Sequence, residues 1–119
     1  MKDFKKLKVW QKAHNLVLRI YKISRKFPKE ELYGLTSQIR RASSSVPANI
    51  AEGCGRGGEA DFARFLQIAM GSASELEYHT LLAYDLDIID SHAFNGLSSD
   101  VAEIKQMLTA FIKKLKADR

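Results

Sequence analysis

The stretch Gly53-Cys54-Gly55-Arg56-Gly57-Gly58 has the spacing GxGxxG, with which a glycine-rich turn can cradle a pyrophosphate. That chemistry needs a strand before the glycines and a helix N-terminus after them, so that bare amides face the anion. Here a helical pattern precedes the glycines, and Glu59 and Asp61 stand where a phosphate would dock, so the stretch reads as a helix–helix loop. Glu75 and His79, four residues apart, could share a face as metal ligands. A di-iron bundle would need Glu-x-x-His twice and two further inward carboxylates. The sequence lacks that set, and the pair reads better as an interface hydrogen bond or salt bridge. His14 and His92 have no nucleophile and carboxylate arranged with them as in a triad. Ser43-Ser44-Ser45 lies inside a helical pattern and is no nucleophile elbow. Its hydroxyls are expected to serve backbone freed by Pro47, which removes the amide that would bond the Ser43 carbonyl. Cys54 beside Arg56 could be a reactive thiol. As the single cysteine it excludes an internal disulfide and a multi-cysteine zinc site. These residues predict no cofactor, no metal and no enzymatic activity.

Four amphipathic helices position all of them. The first is expected from about Leu7 to Lys26, with Trp10, Ala13, Val17 and Ile20 on one stripe and Leu16, Ile23 and Phe27 beside it. Intervals of three and four residues suit a helix and not a strand. Phe27-Pro28 ends it, because proline disfavours helical geometry in the residue before it. The second is expected from Leu35 to Gly53 on the stripe Leu35, Ile39, Ala42, Val46 and Ile50, with the glycines at 53, 55, 57 and 58 acting as its C-terminal stop. The third runs from Glu59 to Ile89 on Phe62, Leu66, Ala69, Ala73, Leu76, Thr80 and Tyr84. Gly96 and Ser98-Ser99-Asp100 then introduce the fourth, with Asp100 and Glu103 as a capping box and Val101, Ile104, Leu108, Phe111, Ile112 and Leu115 as its stripe. The fold class predicted is all-α, an antiparallel up-down-up-down four-helix bundle forming one domain over residues 1–119.

Two surfaces exceed what a lone bundle needs. The outer side of the second helix carries Ser37, Ser44, Ala48 and Ala51, where long charged side chains are usual. The third helix has a second apolar line, Ile68, Leu82, Leu86 and Ile89, and a length of roughly 45 Å against about 30 Å for its neighbours. Ala48, Ile68 and Leu82 are therefore candidates for an interface between copies of the chain. The plainer alternative is that the helix boundaries are misplaced and the third helix is the most buried of the four.

Charge supplies the remaining signal. The chain has 119 residues and a formal net charge of +5, from 19 Lys+Arg against 14 Asp+Glu. In the predicted topology both termini and the loop between the second and third helices share one end. That end gathers Lys2, Lys5, Lys6, Lys8 and Lys12 with Lys113, Lys114, Lys116, Arg119 and Arg56. Such a pole, repeated around a ring, could hold a phosphate backbone. Lysines near helix C-termini also favour the helix dipole with no further role. No aromatic stacking platform or recognition-helix pattern accompanies the patch, which argues against sequence-specific reading. The opening MKDFKKLKVW lacks the apolar core of a secretory signal, and no apolar run approaches the roughly 18 residues of a membrane span. A cytoplasmic location and no membrane partner are expected.

The sequence resembles the four-helix-bundle proteins encoded by intervening sequences inside bacterial 23S ribosomal RNA genes. The resemblance rests on Leu7-Lys8-Val9-Trp10, Ile20-Tyr21, Phe27-Pro28 and Glu31-Leu32-Tyr33-Gly34-Leu35. More specific are Gln38-Ile39-Arg40-Arg41-Ala42, Asn49-Ile50-Ala51-Glu52-Gly53, and Ile68-Ala69-Met70-Gly71-Ser72 followed by Glu75. It covers Leu7 to Ile89, and the fourth helix matches in hydrophobic pattern only. The resemblance implies an antiparallel bundle assembled into a homopentamer, with no known enzymatic activity and an undefined role. A related branch, the accessory proteins of diversity-generating retroelements, is also pentameric and is thought to assist a reverse transcriptase and bind nucleic acid. The motif residues Arg40, Arg41, Asn49, Glu52 and Glu75 are expected to form a structural polar network, within the subunit or across subunits, rather than a ligand site, with Glu52 and Arg56 also pairing along their own helix. The functional expectation is a homo-oligomeric accessory or scaffold protein, its partners being itself, RNA or DNA, and a reverse transcriptase or other protein. The nucleic-acid contacts would come from Lys5, Lys6, Lys8, Lys113, Lys114 and Lys116. The alternative is a protein-binding adaptor with no nucleic-acid role.

Overall fold

Apolar side chains recurring every three or four residues can leave water only by facing other such stripes, and four of them do so here. The computed structural model describes residues 3–117. Helix α1 spans Lys8–Ser24, α2 Leu35–Gly55, α3 Glu59–Asp85 and α4 Ser91–Ala117. Short 3-10 turns at Phe4–Lys6 and Lys29–Glu31 precede α1 and α2. Each helix packs on its neighbours in the chain and α4 closes on α1, most closely at α2–α3 and least at α1–α4. The result is a rod of 46 × 22 × 20 Å. The up-down-up-down bundle is as expected.

The core follows the predicted stripes. Ala13, Leu16 and Ile20 of α1 meet Ile39, Val46 and Ile50 of α2, Leu66, Ala69 and Leu76 of α3, and Val101, Ile104 and Leu108 of α4. Val9 belongs to this core while Trp10 is only half-buried against it. Phe62 and Phe111 meet edge to face at 5.2 Å, joining the start of α3 to the end of α4. Tyr84 leaves the core stripe and stacks on Phe94 at 4.5 Å.

Four boundaries differ from the sequence reading: α1 ends at Ser24 rather than Lys26, the chain turning through the Lys26 amide on the Ile23 carbonyl and the Phe27 amide on the Ser24 carbonyl, and three others differ for local reasons. Helix α3 stops at Asp85 rather than Ile89 because Asp87 takes a left-handed conformation, φ 60°. The Asp87 amide then donates to the Tyr84 carbonyl at 3.0 Å and the Ile88 amide to that of Ala83 at 2.8 Å, a Schellman arrangement. Ile89 lies past this turn and is buried in the chain's own core. Helix α4 begins at Ser91, so Gly96, Ser98 and Ser99 lie inside it and the Asp100–Glu103 capping box does not exist. The cap is Asp90, whose Oδ1 accepts the Ala93 amide at 2.8 Å. With 27 residues each, α3 and α4 are equally long, which removes the argument from an overlong third helix. Helix α2 runs to Gly55, and only Gly57, at φ 87°, takes the left-handed stop. Gly53 is inside the helix for another reason. A Cβ there would lie 2.9 Å from both Phe62 Cδ1 and Phe65 Cβ, so its bare backbone permits the close α2–α3 approach.

Candidate nucleic-acid and self-association surfaces

The lysine pole is built on ordered backbone. The Asp3 carboxylate accepts the Lys5 amide at 3.1 Å, Gln11 Nε2 donates to the Lys5 carbonyl at 2.8 Å, and the Phe4 ring meets Trp10 at 5.0 Å. Lys5 and Lys6 are thereby fixed beside Lys8, the first residue of α1. The same 3-10 turn touches α2, whose C-terminal end lies at this pole. Lys113, Lys114 and Lys116 occupy the last turns of α4. All six predicted lysines are exposed, and none pairs with a carboxylate among the described residues. Lys2 and Arg119 lie outside the described residues. Two further members of the expected pole are already engaged. Lys12 reaches Glu103 at 3.2 Å and Asp100 at 3.7 Å, and Arg56 reaches Glu52 at 2.8 Å. The Glu52 hydrogen bond raises the Arg56 guanidinium above its ordinary value.

Within one subunit the motif residues form separate clusters. Arg40 turns toward α1: its Nε donates to Ser24 Oγ at 2.7 Å and its guanidinium carbon lies 4.8 Å from the Tyr21 ring centre. Arg41, one residue on and so about 100° around the helix, turns toward α3 and reaches Glu75 at 3.3 Å. Glu75 also meets His79 Nε2 at 3.1 Å, so that pair is part of an ionic cluster. Asn49 Nδ2 donates to the Ser45 carbonyl at 2.8 Å and to Ser45 Oγ at 3.0 Å, and Ser72 Oγ of α3 donates to the same hydroxyl at 3.0 Å. Glu52 holds Arg56 alone. The serines do not serve the carbonyl that Pro47 leaves unbonded. Ser43 and Ser44 donate back to Arg40 and Arg41, at 3.0 and 3.2 Å.

On the outer faces, Ser37 and Ala48 are exposed on α2, with Ser44 and Ala51 half-buried. Helix α3 exposes Ile68 (41%), Tyr78 (56%) and Leu81, and a Cβ added to Gly71 would meet nothing within 4 Å. Leu82 is instead partly buried against the chain's own core, so the second apolar line survives at Ile68 and at Leu86, just beyond the helix. Tyr78 and Leu81 were not singled out in the sequence, although their three-residue spacing signals one face.

Among the described residues no three His, Cys, Asp or Glu side chains are grouped to hold a metal. Cys54 is buried, and the glycine-rich stretch forms the last turn of α2 and the loop after it. His14 stacks on Trp10 at 4.9 Å. No helix among the described residues is long and apolar enough to cross a membrane.

Comparison with known proteins agrees with this architecture. The family model described as 23S rRNA-intervening sequence protein matches residues 5–110, which carries the likeness into α4. A search of curated proteins finds no sequence relative. Among solved structures, the chain is similar to a protein of unknown function from the S23 ribosomal protein family of Bacteroides thetaiotaomicron. The two share 29% identity over 88% of this chain and 95% of the other, with a TM-score of 0.82. With the family model spanning most of its length, the chain belongs to the family of 23S rRNA-intervening sequence proteins.

Proposed function

We propose that this protein is a non-enzymatic, self-assembling accessory protein that binds RNA or DNA without sequence preference through its lysine-bearing end. The observation that carries the reading is the six exposed lysines on ordered backbone, none neutralised by a carboxylate among the described residues. Unpaired lysines can release counterions from a phosphate backbone, whereas paired ones must first give up a partner. Self-assembly is supported by the outer faces of α2 and α3. Their small residues would admit a second helix closely, and Ile68, Tyr78 and Leu81 would leave water. A closed ring, a homopentamer in the form the family resemblance implies, would multiply the basic end and so its affinity.

Fluorescence anisotropy with short RNA and DNA strands tests the nucleic-acid half. Binding is expected at about 50 mM salt, and it should weaken with a log–log slope of roughly −0.7 to −0.9 per phosphate contacted. Replacing Lys113, Lys114 and Lys116 with glutamine should weaken all sequences alike while leaving the oligomer intact. No signal at tens of micromolar protein would retire this half and leave the adaptor reading. Light scattering after size exclusion tests the other half, and a mass at the 13.4 kDa of one chain would sink it.

A further inference from the structure

At the opposite end of the bundle, the turn between α1 and α2 encloses an open depression of about 330 Å³. Its wall carries the cationic side chains Arg25, Lys29 and Arg40 and the hydroxyl residues Ser24 and Thr36. We propose that this depression is a phosphate-monoester site, independent of the lysine pole and of the function proposed above.

Four observations converge on it. First, the three cations have no carboxylate partner among the described residues. The nearby Glu31 is engaged with backbone, its Oε1 accepting the Leu35 amide at 3.1 Å at the start of α2; Glu30, exposed beside it, is the other acidic neighbour in the turn. Second, Arg40 is held in place. Its Nε is spent on Ser24 Oγ at 2.7 Å and Tyr21 lies against its guanidinium, which leaves the terminal nitrogens for a second acceptor. A planar guanidinium fixed in this way suits two oxygens of one anion. Third, Thr36 is 4% exposed and its Oγ1 has no hydrogen-bond partner, an arrangement that ordinarily costs stability unless something completes it. Thr36 itself lines the depression. Fourth, this is the N-terminus of a 21-residue helix whose cap, Gly34, has no side chain; Glu31 takes the Leu35 amide and leaves those of Thr36 and Ser37.

The charge balance selects the ligand class. Three cations without carboxylate partners, set against Glu30 and Glu31 in the same turn, leave a positive excess that favours an anion, and Phe27 and Leu32 supply apolar wall for the organic part of an ester. The volume lies at the lower end of the roughly 300–1,000 Å³ of small-molecule pockets, enough for a phosphoryl group and a modest substituent. The phosphoryl group could be that of a free small molecule or the terminal phosphate of a nucleic-acid strand.

Amide NMR of the full chain at constant ionic strength tests the site, with phenyl phosphate, inorganic phosphate and a short oligonucleotide with or without a 5′-phosphate as probes. Phenyl phosphate should give saturable shifts at Ser24, Thr36, Ser37 and Arg40, with inorganic phosphate weaker. The double substitution Arg25→Gln/Lys29→Gln, on exposed side chains without structural partners, should weaken binding by about tenfold or more. Thr36→Val should weaken it too while raising the melting temperature, because it deletes an unpartnered buried hydroxyl. Preference for the phosphorylated oligonucleotide over its hydroxyl twin assigns the site to strand ends. Equal behaviour of the twins, with phenyl phosphate still binding, assigns it to small molecules. Absence of saturable shifts up to about 10 mM phosphate ester, or shifts that survive both sets of substitutions, overturns the proposal.

Discussion

Substituting Gly71 with alanine gives opposite results for a free and a covered α3. Gly71 sits mid-helix on the outer face, and an added Cβ would meet nothing of its own chain within 4 Å. Within one subunit the change is therefore a pure gain in helix propensity, about 0.8–1.0 kcal/mol. For a chain of this size that is a rise in melting temperature of about 4 °C. If a second copy lies against this face, the methyl group intrudes on a packed interface, at a cost of about 1–3 kcal/mol. The net effect on the assembly is then a loss of up to about 2 kcal/mol per contact. The expected result for Gly71→Ala is unchanged helicity by circular dichroism and dissociation on dilution at a concentration about tenfold higher than for the parent protein. Light scattering over a dilution series reads this directly. Gly53→Ala is the internal comparison. Its Cβ would lie 2.9 Å from Phe62 and Phe65, so it should lower stability by about 1 kcal/mol net at every protein concentration. A Gly71→Ala protein that simply melts about 4 °C higher, with its concentration dependence unaltered, would refute the assignment of this face to self-association.

Two further substitutions test the corrected helix boundaries. Asp90→Ala removes the acceptor of the Ala93 amide and should cost about 1 kcal/mol, with faster amide hydrogen exchange confined to the first turn of α4. Asp100→Asn removes the partner of Arg19 and Lys12 in the middle of α4. It should cost no more than about 1 kcal/mol in urea denaturation, a difference that shrinks toward zero in 1 M salt where screening acts within ~3 Å.

The four helices and most of the core were legible because each stripe repeats over three or more turns, and nothing but a helix buries such a pattern. The boundaries failed where one residue outweighed the pattern. Asp87 ends α3 with a left-handed conformation that aspartate only occasionally adopts, and the apolar Ile88 and Ile89 beyond it made the helix look longer. The Asp100–Glu103 spacing matches a capping box anywhere it occurs, but Leu97 and Phe94 continue the apolar period upstream and extend the helix past Gly96. The true cap, Asp90 with Ala93, lacks the acidic third residue that makes a box recognisable. Among the candidate site residues, the exposed lysines were readable from topology alone, since alternating helices bring both termini to one end. The polar motif was not. Arg40 and Arg41 are adjacent in the chain, yet the turn of the helix sends one to α1 and the other to α3. The depression around Thr36 had no sequence signal, because Arg25, Lys29 and Arg40 are brought together only by the fold of the α1–α2 turn.

The two sides of the bundle are held by different chemistry, and the difference bears on where a second copy would dock. At α2–α3 the backbones approach closely at Gly53, the small Ala42, Ala69 and Ala73 are buried in the core, and the Ser45–Ser72 hydrogen bond crosses between the two helices. Helices this close need little lateral surface to stay together. At α1–α4 the packing is looser, and Arg19 and Lys12 cross to Asp100 and Glu103. Those ion pairs are half-exposed, so each contributes little to stability. They nevertheless commit the charges that bridge the two helices to partners within the chain. A copy docking there would have to desolvate paired charges, which seldom returns the cost. Around the closely packed pair the outer positions are instead Ser37, Ala48, Ile68, Gly71, Tyr78 and Leu81, which a second copy can cover with few charges to strip of water. The charged residues nearby, Arg41 with Glu75, Glu52 with Arg56 and Asp61 with Arg64, are partners of one another and can enter an interface already neutralised. If copies of the chain associate, the outer faces of α2 and α3 are therefore the less costly surface to cover.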